Sequence, residues 1–291
     1  MSDVTQRAGP ALILWLCGSG LRLSILALPP VIVAVQRDLA LTGTEVGLLS
    51  GLPIVFFAAA ALPGSLLIAR LGVLPTLVTG LIVTAFGSAA RALAASAYPF
   101  YAATMLMSVG VAMMQPAMPA AVRDWLPSRI GFATALYTNG MIVGEILPAA
   151  MMLPIMVPLL DDSWRAAIAI WSVPLLAIAL FASLVAPRDR PQGAGSDMGR
   201  PWWPEWRDPL IWLLGFILSS VNSTYFCSNA FLPAHLSSAD RADLISPALT
   251  ALNFGQLPAS ILLLAMAARL EARGRRVPQP RRAPLEKRPL W

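Results

Sequence analysis

The chain has 291 residues, of which 57% are hydrophobic and only 12% are charged. Soluble proteins carry about 25% charged residues, so this composition argues against a soluble enzyme, a disordered protein or a nucleic-acid-binding domain. The net charge of +6 has another explanation in the positions of the basic residues. Cys17 and Cys227 lie in separate apolar runs and predict neither a disulfide framework nor a metal site.

Apolar runs long enough to cross a membrane recur along the chain. About 20 mostly apolar residues span the hydrocarbon core as a helix, and lipid leaves no partner for the backbone of irregular structure. The first run is too long for a signal-peptide core, so we predict that it is a retained span. The sequence therefore predicts an all-α integral membrane protein with about eight transmembrane helices. These spans 1 to 8 are predicted at residues 11–34, 46–70, 72–95, 98–121, 131–158, 166–187, 209–232 and 245–268.

Prolines and small residues mark the predicted spans. Prolines inside apolar helices are typical of transporters, whose broken helices line a cavity. The pair Gly140 and Gly144 forms a small-x-x-x-small pattern, which predicts close packing of span 5 on a neighbour rather than a binding role. The prolines lie at positions 29, 53, 63, 75, 116, 119, 148, 154 and 258.

The basic residues predict which side of the membrane each loop occupies, because cytoplasmic loops are enriched in Lys and Arg. With the N-terminus in the cytoplasm, cytoplasmic segments hold most of the 21 basic residues. This bias and a basic tail account for the net charge without a nucleic-acid-binding face. We predict a multi-pass protein of the bacterial inner membrane. The external loops then hold four arginines, namely Arg37, Arg91, Arg165 and Arg241.

An internal repeat predicts the domain organisation. Residues 62–67 read Leu-Pro-Gly-Ser-Leu-Leu and residues 257–262 read Leu-Pro-Ala-Ser-Ile-Leu, and both helices continue to Ala-Arg-Leu. Two parallel six-helix repeats would place the start of the second at span 7, with spans 9 to 12 absent. The predicted units are a six-helix N-terminal half at 1–187, a cytoplasmic linker at 188–208, a partial second half of two helices at 209–268 and a basic cytoplasmic tail at 269–291.

The tail has an unusual composition, with seven Arg, one Lys and four Pro in residues 269–291. A cytoplasmic tail attracted to anionic lipid is one interpretation. A reading-frame change in a GC-rich gene, which yields Arg, Pro, Gly and Ala, is favoured because the repeat stops at the same place.

Two charged residues, Arg22 and Glu145, are predicted deep within spans 1 and 5. A charge at the bilayer centre costs about 2.5–3.5 kcal/mol on insertion scales, so such residues usually face a partner or a cavity. One interpretation is a purely structural ion pair. The other is that Arg22 binds an anion through its forked donors and Glu145 carries a proton. Both can hold, because a proton on Glu145 would free Arg22 for substrate.

Polar residues within the other spans extend this candidate site. Those of span 7 recur at three- and four-residue spacing and therefore share one helix face. Hydrogen bonding between helices, at about 0.6 kcal/mol per contact, is the simpler explanation for any single residue. For the polar residues of span 7 taken together, we favour the interpretation that they line a polar cavity. These residues are Ser219, Asn222, Tyr225 and Asn229. The candidate substrate-binding residues are Arg22, Gln115, Tyr137, Asn139, Asn222, Tyr225, Asn229 and Asn253, with Glu145 for proton coupling or an ion pair.

No enzymatic motif stands out. His235 is the only histidine, and the sequence has no metal-ligand cluster, nucleophile elbow or phosphate-binding glycine loop. We therefore expect no enzymatic activity, no cofactor and no metal.

Several motifs carry a family resemblance: Gly20-Leu21-Arg22 with Leu28-Pro29-Pro30, Gln115-Pro116 in span 4, Leu136-Tyr137-Thr138 in span 5, and Phe231-Leu232-Pro233 in span 7. They resemble the major facilitator superfamily and, within it, the cyanate/nitroimidazole permease branch. The resemblance implies twelve spans in two halves, alternating access and a central site that includes Arg22.

The loop after span 2 departs from the superfamily pattern. Arg70 and Gly72 of the usual cytoplasmic gate loop remain, but Ala69 replaces its acidic residue and Val73-Leu74 its basic pair.

The predicted function is a permease for a small anionic or weakly acidic organic solute, cyanate-like and proton-coupled. The alternatives are a truncated fragment that does not transport and a membrane-anchored interaction protein. The predicted partners are the substrate and the lipid bilayer, without nucleic acid.

Overall fold

The computed structural model of the chain describes residues 2–59, 61–187 and 208–274. Within these ranges the regular structure is helical, without strands. Seven helical segments are long and apolar enough to cross a membrane, and an eighth is added when the bent pair of span 2 counts as one. The predicted all-α membrane fold with about eight spans is therefore confirmed. Most of the predicted linker and residues 275–291 of the predicted tail lie outside the described residues.

The helices follow the predicted spans closely, although several spans are divided. Single 3₁₀ turns at Pro29–Val31, Pro127–Arg129 and Ala242–Leu244 precede helices of spans 1, 5 and 8. The spans consist of Ser2–Leu26 and Ile32–Asp38 (span 1), Gly43–Ala59 and Ala61–Leu71 (span 2), Val73–Ala92 (span 3), Ala97–Trp125 (span 4), Ile130–Met151 with Val157–Leu159 (span 5), Trp164–Ile170 and Ser172–Val185 (span 6), Pro209–Ser238 (span 7), and Ile245–Phe254 and Leu257–Gly274 (span 8).

Prolines coincide with two of the irregular points. Span 1 loses its α-helical geometry after Leu26, directly before Pro29 and Pro30, because proline lacks the N–H that would continue the ladder. Span 5 passes through a π-helical turn at Met152–Met156, which contains Pro154. Broken helices of this kind were predicted from the sequence.

Glycines set the closest helix contacts. Gly140 and Gly144 of span 5 lie so close to the carbonyl oxygens of Trp15 and Ser19 that a Cβ at either glycine would overlap them. Gly18 of span 1 has the same relation to the Tyr137 carbonyl. The predicted close packing at the small-x-x-x-small pattern is therefore confirmed, and its partner is span 1.

Spans 1 to 6 share one hydrophobic core, to which span 2 contributes Val46 and Leu49. Span 8 packs mainly on span 5. Span 7 contacts the first helix of span 8, the second helix of span 1 and the first helix of span 2. The first half of span 7, residues 209–224, is exposed throughout. The second half of span 7, by contrast, carries the buried residues Asn229, Ala230 and Pro233.

Replacing Gly72 with alanine is expected to destabilise the protein by about 1–3 kcal/mol, the cost of a side chain in a backbone region that only glycine adopts readily. Gly72 has φ 88° and ψ 173° at the N-terminus of span 3. Thermal unfolding of the purified protein in detergent measures the effect. Gly43→Ala is the matched control, because Gly43 also begins a helix and a Cβ there meets nothing within 4 Å. Equal melting temperatures for the two variants would contradict the prediction.

Candidate substrate site in the membrane interior

Arg22 and Glu145 face each other across the contact between spans 1 and 5. Arg22 Nε lies 3.4 Å from Glu145 Oε1, and the two side chains are only 10% and 6% exposed. The approach of the two backbones at Gly140 and Gly144 brings these residues into reach. Pairing reduces the cost of holding each charge away from water. The two charged residues singled out in the sequence therefore lie at one place.

Spans 7 and 8 complete this cluster. Gln256 Nε2 donates to Glu145 Oε2 at 3.2 Å, and the Tyr225 hydroxyl also lies beside this carboxylate. The Arg22 guanidinium lies over the Phe226 ring, 5.3 Å from its centroid, a distance at which the ring face attracts a cation. Four spans thus converge on one ion pair.

A chain of buried amides continues from Tyr225. Its hydroxyl donates to Asn253 Oδ1 at 2.6 Å, and Asn253 Nδ2 donates to Asn229 Oδ1 at 3.2 Å. The two asparagines are 0% and 2% exposed. Each polar group in this chain has a partner, so the network orders the side chains around the ion pair.

Asn139 forms a separate bridge between three spans. Trp15 Nε1 donates to Asn139 Oδ1 at 2.9 Å, and Asn139 Nδ2 donates to Ser260 Oγ at 3.2 Å. Both ends of the amide are therefore occupied by neighbouring helices, which matches the interpretation that such residues join helices.

Other predicted site residues do not join the cluster. Asn222 is exposed because no described residue covers the first half of span 7. Its Nδ2 donates to the Leu218 carbonyl of its own helix. Tyr137 is half-buried and packs against the hydrophobic core, and Gln115 is half-buried in span 4. In the predicted gate loop Arg70 is exposed, while Gly72 forms the turn into span 3.

The Arg22 guanidinium has hydrogen-bond donors that no described residue uses. Within the described part of the chain, its Nε and NH1 have no hydrogen-bond partner although both atoms are buried. The Nε contact with Glu145, at 3.4 Å, is long for a charge-assisted hydrogen bond, which is normally about 2.7–2.9 Å. A small anion could accept from these donors.

The structure corrects one prediction and adds two residues. Arg91, predicted in an external loop, is fully buried in the last turn of span 3. That prediction was wrong because hydropathy does not show whether an arginine at a helix end turns to water or to the protein interior.

Phe226 and Gln256 were absent from the predicted site set. Phe226 has no polar signal, whereas Gln256 lies at helical spacing from Asn253 and could have been included.

Comparison with known proteins gives a consistent result. The Major Facilitator Superfamily matches residues 14–281. The chain is 25% identical over 253 residues to the uncharacterized transporter YycB of Bacillus subtilis (strain 168), covering 86% of the chain and 62% of that relative. It is 25% identical over 263 residues to the cyanate transport protein CynX of Escherichia coli (strain K12), covering 90% and 67%.

A third relative is the 2-nitroimidazole transporter of Escherichia coli (strain K12), 27% identical over 222 residues, covering 75% of the chain and 55% of that relative. The chain thus spans roughly two thirds or less of the length of these relatives. The superfamily match includes residues of every span, so the protein is a multi-pass membrane protein that belongs to the Major Facilitator Superfamily.

Proposed function

We propose that the chain acts in membrane transport of a small anionic or weakly acidic organic solute, by alternating access and coupled to protons. The observation that carries this proposal is the buried Arg22 guanidinium with unused donors beside Glu145. A guanidinium stays charged at any physiological pH and presents donors in a planar fork, which suits a carboxylate-like or linear anion.

Proton coupling follows from competition between Glu145 and the substrate for Arg22. With Glu145 ionised, its carboxylate is the counter-ion of Arg22. When Glu145 binds a proton, Arg22 loses that counter-ion, and a substrate anion takes its place. Anion and proton therefore bind together, and both leave when the ion pair forms again on the other side of the membrane.

The relatives support the substrate class. One is named for cyanate and another for 2-nitroimidazole, and both compounds are small. The arrangement of spans 1, 5, 7 and 8 around one ion pair is also compatible with a central site between two sets of helices.

We further propose that the protein lies in the bacterial inner membrane with its N-terminus in the cytoplasm. We also propose that the chain divides into a six-helix half and a partial second half.

Replacing Arg22 with lysine is expected to reduce uptake about tenfold or more, because lysine keeps the charge but loses the forked donors. The measurement is uptake of radiolabelled cyanate and of 2-nitroimidazole into proteoliposomes. Arg165→Lys is the matched control, since Arg165 pairs with Asp38 at 2.8 Å and is partly exposed. Unchanged uptake by the Arg22 variant at equal protein content would count against the proposed role.

One observation favours a second candidate, a membrane protein that does not transport by itself. The exposed first half of span 7 carries polar side chains such as Ser220 and Asn222, which are costly against lipid unless another helix covers them. Uptake by the wild-type chain that equals uptake by empty vesicles would support this candidate. Uptake above that level would support transport by the chain alone.

A further inference from the structure

A cavity lies next to the ion-pair cluster, between spans 1, 2, 3, 4 and 7. Its polar lining comes from Ser50, Arg91, Thr104 and Asn229, and Phe226 forms part of its wall. The Ser50 and Thr104 hydroxyls donate to carbonyls of their own helices, those of Val46 and Phe100. Among the lining residues Arg91 is therefore the charged group that faces this space.

Arg91 is fully buried and has only neutral partners within the described ranges. Its NH2 donates to the Ser24 carbonyl at 2.8 Å and to the Ser24 and Ser88 hydroxyls at 3.0 Å each. Its Nε is buried without a hydrogen-bond partner. The three contacts hold one end of the guanidinium against spans 1 and 3 and leave the Nε side unused.

The other arginines of the membrane interior and its edge show what Arg91 lacks. Arg22 has Glu145 and Arg165 has Asp38 as carboxylate partners. No described carboxylate pairs with Arg91. A buried charge without a counter-ion is strongly unfavourable, and a guanidinium does not lose its proton to escape that cost. A bound anion in the adjoining cavity would supply the missing charge.

We infer that Arg91 forms a second anion-binding site, which takes a small monovalent anion of the carboxylate or cyanate type in the cavity beside Phe226. Phe226 contacts both this cavity and the Arg22 guanidinium, and Asn229 joins the cavity to the amide chain. The two arginines would hold the anion in turn. A role of the Arg91 site in the transport path rests on the proposed function. Anion binding at Arg91 depends only on the geometry around Arg91.

The test uses sodium formate as the probe and the purified full chain in detergent. Formate is expected to raise the melting temperature of the wild-type protein relative to sodium gluconate at equal ionic strength. Arg91→Gln is expected to lose this response, because glutamine keeps a donor for Ser24 but has no charge. The response should persist in Arg165→Gln, the control with an arginine that has a carboxylate partner.

Retention of the full formate response in Arg91→Gln would overturn the inference, and so would a wild-type protein that does not respond to formate. Loss of the response in Arg22→Lys alone would place the anion at Arg22, which would support the proposed function but contradict a site at Arg91. If Arg91→Gln does not fold, Arg91→Lys replaces it. Lysine lacks the fork, so the formate concentration for half-maximal response should rise about tenfold, and an unchanged concentration would again overturn the inference.

Discussion

Replacing Glu145 with glutamine is expected to lower uptake driven by a pH gradient to the level of vesicles without protein, while exchange of labelled for unlabelled substrate continues. Glutamine has nearly the same size and can still bond to Gln256, but it neither carries a proton nor competes as an anion for Arg22. The site would therefore stay in the form that holds substrate. Radiolabelled cyanate in proteoliposomes, with and without an imposed gradient, measures the two modes separately.

Glu45→Gln is the matched control for this experiment. Glu45 accepts from the Thr42 backbone N–H at 2.7 Å and from the Thr42 hydroxyl at 2.8 Å near the start of span 2, outside the ion-pair cluster. It should keep both modes of transport. If the Glu145 variant lost exchange and gradient-driven uptake together at normal protein content, the pair would be needed for binding rather than for coupling. Full gradient-driven uptake by that variant would exclude a coupling role.

The spans could be predicted because the membrane imposes a minimum length of apolar sequence on every helix that crosses it. Their ends could not be fixed in the same way. Span 8, for example, ends at residue 268 by hydropathy, yet its helix continues to Gly274. A helix can extend into the headgroup region or the water, where polar residues such as Arg269 are favourable, so the change in composition marks the membrane boundary rather than the helix end.

Part of the site could be predicted because polar and charged residues are rare within membrane-spanning helices. Arg22, Glu145, Asn229 and Asn253 stand out for this reason, and the structure brings them close together in one network. Asn222 carries the same signal, but it lies on the part of span 7 that no described helix covers. Arg91, by contrast, was predicted in a loop and is buried in the structure. Only the packing of spans 1 and 3 around its guanidinium shows this.

Replacing Gly144 with leucine is expected to separate spans 1 and 5, to lower the melting temperature of the protein and to abolish uptake. A Cβ at this position would overlap the Ser19 carbonyl oxygen, and backbone cannot move aside as the end of a flexible side chain can. Overpacking of a well-packed core costs about 1–3 kcal/mol, occasionally more. The same displacement would move Glu145 away from Arg22. Thermal unfolding in detergent and cyanate uptake in proteoliposomes measure the two effects.

Gly215→Leu is the control with the same change of side chain, because a Cβ at Gly215 of span 7 meets nothing within 4 Å. It should keep the melting temperature of the wild type. Gly144→Ala should lie between the two, since it adds only the Cβ that meets the Ser19 carbonyl. A Gly144→Leu protein as stable as Gly215→Leu would show that the close contact of spans 1 and 5 is not required. The ion pair would then need another explanation, because that contact is what brings Arg22 opposite Glu145.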